Sequence, residues 1–203
     1  SKCKTLVATH ADVDHGQGRF FIRSNDTHRN FRVVTASPGK PTEENWVEYI
    51  PPSDENYIRG ISVFADMLVV EERVNGLDQI AIHPHSGEGF HHVAFDEESY
   101  SVSLGSNPEY GSTVLRLSYQ SMVTPASTLD YYIEDQRLKT LKVQDIPSGY
   151  DKEAFVTERI LAPARDGTLI PISLVYKKDT PQDGSAPLHL YGYGAYGLGM
   201  PPG

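Results

Sequence analysis

The sequence predicts a mostly β chain in which blades of a β-propeller are followed by the opening strands of an α/β domain. Three observations carry this. Strand-like runs recur at a constant step of 47 residues, helical periodicity is scarce before residue 150, and the final stretch changes to a hairpin and a glycine-broken strand.

The repeat is clearest in its first runs, which open at Phe20, Met67 and Val114. Each is followed by a turn-rich linker and a second alternating run, at 31–36, 78–83 and 129–134. A third run, at 46–50, 92–95 or 138–143, completes each unit, and short runs at 61–64 and 101–104 are placed to serve as innermost strands. Four short strands every forty to fifty residues or so is the pattern of propeller blades. One blade cannot cover both of its faces, so blades persist by stacking on neighbours. About three blades do not close a ring, and the repeat therefore predicts further blades in a longer parent. An antiparallel sandwich with coincidental spacing is the alternative reading of the same pattern.

Ser148-Gly149-Tyr150-Asp151 marks the expected linker, which divides the chain into blades at 1–150 and the start of a second domain at 151–203. Beyond it, two alternating runs meet at Asp166-Gly167, a dipeptide suited to a hairpin turn. Pro187-Leu-His-Leu-Tyr-Gly-Tyr-Gly-Ala-Tyr-Gly197 then reads as a buried strand that breaks into glycines. Gly192, Gly194 and Gly197 would let the backbone turn sharply and a ligand approach, with the hydroxyls of Tyr191, Tyr193 and Tyr196 beside the turn. Such a strand end is where α/β folds place chemistry. The sequence begins at Ser1 and stops at Gly203, before the helices such a domain needs, which is expected of a piece of a longer protein.

Composition narrows the partners. The 203 residues are 38% hydrophobic, enough for a packed core, and 18 basic against 27 acidic residues give a net charge of −9. That balance argues against nucleic acid and against an anionic membrane surface. Cys3 stands alone, so no internal disulfide forms and a reducing compartment is compatible. Apolar runs such as Met67 to Val70 are far too short for a signal sequence or a membrane span.

Three motifs invite other chemistry. His10-Ala-Asp12-Val-Asp14-His15 resembles the strand-end motif of metallo-β-lactamase-type hydrolases, in which imidazoles and a carboxylate converge on paired metals. Asp12 stands where that motif has its middle histidine, and further ligands would have to come from His83, His85, His91 or His92. The alternative is a polar turn at the mouth of a strand. Gly192-x-Gly194-x-x-Gly197 matches a dinucleotide fingerprint formally, yet Pro201 and Pro202 stand where a helix should propagate. Glu71-Glu72-Arg73 is a charge cluster within a strand, for which a cross-strand salt bridge suffices.

Several segments together resemble the prolyl oligopeptidase family of serine peptidases, and within it the oligopeptidase B branch. They are Asp14-His15 leading into Phe20-Phe-Ile-Arg-Ser-Asn25, Leu68-Val-Val-Glu-Glu-Arg73 with Gly76-Leu77, Ser118-Tyr-Gln-Ser-Met-Val-Thr-Pro125, Ala164-Arg-Asp-Gly167 and Leu190-Tyr-Gly-Tyr-Gly194. The resemblance implies the last blades of a seven-bladed propeller, followed by the first strands of an α/β-hydrolase domain. It also implies a Ser/His/Asp triad that maps onto no residue of this chain. Tyr193 alone carries over, as the hydroxyl that donates to the oxyanion of the tetrahedral intermediate. The implied activity is cleavage of short peptides after Arg or Lys, in the cytoplasm, with no cofactor and no metal. A post-proline peptidase of the same family is the near alternative, and a non-catalytic propeller scaffold the distant one.

Overall fold

The computed structural model describes residues 11–194 and 199–202. Among them are three four-stranded sheets and one hairpin, every sheet with its strands in chain order. The first sheet comprises β1 (Ala11–Gly16), β2 (Arg19–Ser24), β3 (Arg32–Ala36) and β4 (Val47–Ile50). The second comprises β5 (Asn56–Val63), β6 (Met67–Val74), β7 (Leu77–Pro84) and β8 (His91–His92). The third comprises β9 (Tyr100–Leu104), β10 (Val114–Ser121), β11 (Ser127–Tyr132) and β12 (Arg137–Val143). The hairpin pairs β13 (Phe155–Pro163) with β14 (Leu169–Lys177). No α-helix forms among the described residues.

The 47-residue step is the distance between the second strands of successive sheets. A sandwich would need strands that cross between sheets; here each sheet is a simple meander, as in a propeller blade. The turns follow from local chemistry. Gln17-Gly18 and Asn75-Gly76 both adopt positive φ at consecutive residues, the two-residue geometry that matches the right-handed twist of the flanking strands.

Burial follows the pattern of side chains along the strands. Met67, Leu68, Val69 and Val70 of β6 are all buried, so both faces of that strand are covered. In β10, Leu115, Leu117, Tyr119 and Ser121 are buried while Arg116 and Ser118 point outward, so one face is covered and the other is wet. Phe21, Phe31 and Val33 of the first sheet and its adjoining loop pack with Ile58, Val63, Leu68, Val70 and Ala81 of the second. Ile22, Val34 and Ala36 form a smaller core on the opposite face of the first sheet, closed by Phe20 and Trp46.

Packing gathers the chain into two compact units. Residues 80–92 and 108–112 group with the first 74, and residues 75–79 group with 93–107 and with everything from 113 onward. Among the polar contacts that join the two sheets in the first unit, the backbone N–H of Val63 donates to Asp14 Oδ2 at 2.8 Å. Gly16 supports it, because a Cβ there would lie 2.4 Å from Val63 Cγ1. Asp14→Ala should therefore lower unfolding stability by about 1–3 kcal/mol, the cost of orphaning a half-buried donor, measured as a shift in the urea midpoint.

Candidate functional site

The region beyond the third sheet starts with a clamped linker. Tyr150 donates its hydroxyl to the Val123 carbonyl at 2.9 Å, and its ring stacks on Phe155 at 5.8 Å. Lys152 reaches Thr124 Oγ1 at 3.4 Å and Glu97 Oε1 at 3.6 Å, while Thr124 donates to the same carboxylate. Glu97 lies near Tyr119, whose phenol is pushed far up, first by burial and then by that carboxylate. The linker thus meets a blade surface whose polar groups already hold it.

The hairpin forms where the alternating runs and Asp166-Gly167 place it. Gly167 has φ of +86°, and Asp166 Oδ1 accepts from the Thr168 N–H at 3.0 Å. The loop closes with Ala164 N–H donating to the Thr168 carbonyl at 2.8 Å.

The glycine-rich segment departs from expectation. Residues 187–194 form no strand, and Leu188 and Leu190 are 80% and 78% exposed. A strand exists only through its neighbours, and among the described residues none runs beside this one. Gly192 and Gly194 do not adopt positive φ, and a Cβ on either would meet no atom within 4 Å. Tyr193 is about half exposed (49%) and makes no hydrogen bond to another described residue. Tyr196 and Gly197 lie outside the described residues, so the dinucleotide fingerprint has only its first two glycines here.

The metal motif is a strand. His10 lies outside the described residues, and β1 carries the rest in register with β2, in place of the expected polar turn. Asp12 pairs with Arg23 at 3.0 Å, Asp14 holds the Val63 amide, and His15 sits edge-on to Phe20 at 5.5 Å. Their side chains are spent on structure. Among the described residues no group of three or more His, Cys, Asp and Glu could hold a metal.

His83, His85 and His92 serve the second sheet. His85 donates from Nε2 to the Phe64 carbonyl (3.1 Å), and its Nδ1 shares a hydrogen bond with the Tyr49 hydroxyl (3.1 Å). Its pKa is lowered, chiefly by burial. His83 stacks on Phe90 at 4.7 Å. Burial likewise lowers its pKa against the opposing pull of Glu72, with His92 and His91 adding to the drop. Glu72, the centre of the Glu71-Glu72-Arg73 cluster, is buried, which a cross-strand salt bridge alone does not anticipate. It is only 5% exposed and accepts from His92 Nε2 at 2.5 Å and from Asn56 Nδ2 at 3.3 Å. Its parity gives the signal: Glu72 shares a face of β6 with buried Leu68 and Val70.

Comparison with known proteins gives one consistent family. The description "Prolyl oligopeptidase, N-terminal beta-propeller domain" matches residues 4–144. Dipeptidyl aminopeptidase BI of Pseudoxanthomonas mexicana is 41% identical over 94% of this chain and 26% of its own length. Protease 2 of Moraxella lacunata is 31% identical over 94% of this chain and 27% of its own. The structure of oligopeptidase B from Leishmania major superposes with a TM-score of 0.82 at 31% identity, covering 96% of this chain and 28% of that one. The chain thus spans about a quarter of the length of these relatives.

The histidines give stability a pH dependence. The folded pKa values of His83, His85 and His91 lie below the ordinary 6.5, so near and below that value the unfolded chain binds more protons. Stability should be complete above pH 7, fall as pH drops through 6.5, and level off once the folded-state imidazoles titrate. Urea midpoints measured from pH 7.5 to about 5 should show this decline, less steep in His83→Phe.

Proposed function

Because the chain belongs to the prolyl oligopeptidase family, with residues 4–144 in its N-terminal β-propeller domain, we propose that it is a portion of a serine peptidase that cleaves short peptides. What carries this reading is identity to two named peptidases across 94% of the chain. The three sheets are then consecutive blades, and β13 and β14 are the first strands of the α/β-hydrolase domain that follows. The blades restrict access and the triad lies in sequence that this chain does not include.

Tyr193 takes part in catalysis as an oxyanion donor. Its half-exposed phenol can stabilise charge that develops only in the transition state, which is where a hydrogen bond accelerates a reaction most. The substrate preference we assign is Arg or Lys before the scissile bond, supported by the resemblance to oligopeptidase B. A second reading, release of dipeptides from a free amino terminus, is favoured by the 41% identity to a dipeptidyl aminopeptidase.

Fluorogenic substrates separate these readings in the full-length protein. Turnover of an amino-blocked Arg substrate supports the endopeptidase, turnover only of unblocked dipeptidyl substrates supports the aminopeptidase, and turnover only after proline overturns the basic preference. In the same assay Tyr193→Phe should lower kcat about a hundredfold or more with little change in KM, as expected for one lost oxyanion donor.

A further inference from the structure

One polar network, entirely within the second compact unit, is unused by the site above. The Asn75-Gly76 turn between β6 and β7 groups with the hairpin and the third sheet. Arg159 of β13 donates from Nη2 to the Asn75 carbonyl. Gly76 has φ of +78°, and a Cβ there would stand 2.9 Å from Pro171 Cγ of β14. Across the hairpin Arg159 pairs with Ser173, whose Oγ accepts a 2.5 Å hydrogen bond from the fully buried Ser99. Arg159, Pro171 and Ser173 lie on one face of the hairpin, since alternate residues of paired strands share a face.

Charge supports the same contact. Tyr100 is buried, and burial raises its phenol pKa against the pull of Gln79, with buried Asp78 adding to the rise and Arg159 opposing it. The Arg159 guanidinium carries charge of the sign opposite to Asp78 in this region.

We propose that the Asn75-Gly76 turn is a docking seat for the β13–β14 hairpin, and that Arg159 is the positioning residue that sets the hairpin, and the chain running on to Tyr193, against that turn. The seat explains why Gly76 is needed twice, once for its conformation and once to admit Pro171. The catalytic consequence rests on the function proposed above, whereas the docking itself does not.

The test uses the full-length protein with Arg159→Ala, Arg159→Lys and Gly76→Ala, and Arg137→Ala as a surface control. Hydrogen exchange of the hairpin amides reads the docking without any substrate. Arg159→Ala and Gly76→Ala should each speed hairpin exchange about tenfold, the scale of one lost charge-assisted hydrogen bond, with exchange in β2 and β10 unchanged. Arg159→Lys should recover part of the protection, because an ammonium can still donate to the Asn75 carbonyl. Unchanged hairpin exchange in Arg159→Ala overturns the seat, whether or not the protein is active. With the hairpin loosened, a several-fold drop in kcat at constant KM supports the positioning role, and an unchanged kcat overturns it. A full-length protein without peptidase activity overturns the function while leaving the exchange result to decide the seat.

Discussion

A four-stranded sheet of this size has two faces and too little material to cover either, and that constraint organises the molecule. In the first unit the two sheets meet through apolar side chains, and one of the polar contacts between them is a carboxylate on a main-chain amide. The same constraint explains the pairing of Glu72, Tyr49 and His85. Glu72 would be costly to bury alone, and the amide of Asn56 and the ring of His92 supply its partners. Tyr49 and His85 satisfy each other and the Phe64 carbonyl on the same principle.

Where an element's pattern is set by its own burial, the sequence was readable. The unbroken run of β6 and the strict alternation of β10 announce a strand covered on both faces and one covered on a single face. The Asp166-Gly167 hairpin was equally plain, since glycine and a side-chain-bonded aspartate act locally. The same locality made the family resemblance recognisable segment by segment.

Where an element depends on distant partners, reading failed. β1 looks polar because Asp12 and Asp14 carry it, and only the tertiary partners Arg23 and Val63 make those carboxylates structural. Residues 187–194 show the opposite error. Their leucines suggest a buried strand, yet burial needs a neighbouring strand that the described residues do not provide. Tyr193 was therefore identifiable by resemblance to a motif, not by any local geometry that the residues themselves impose.

The contact between Asp14 and Val63 is chemically lopsided. On one side it needs a particular short carboxylate; on the other it needs only a peptide N–H, which nineteen of the twenty residue types possess. Position 63 is thus open to drift among side chains small enough for the gap over Gly16, with proline alone forbidden by its missing hydrogen. Position 14 has no such latitude. A seam built this way lets the surface of one sheet diverge without loosening its grip on the next, so that a repeat can lose its sequence likeness long before it loses its shape.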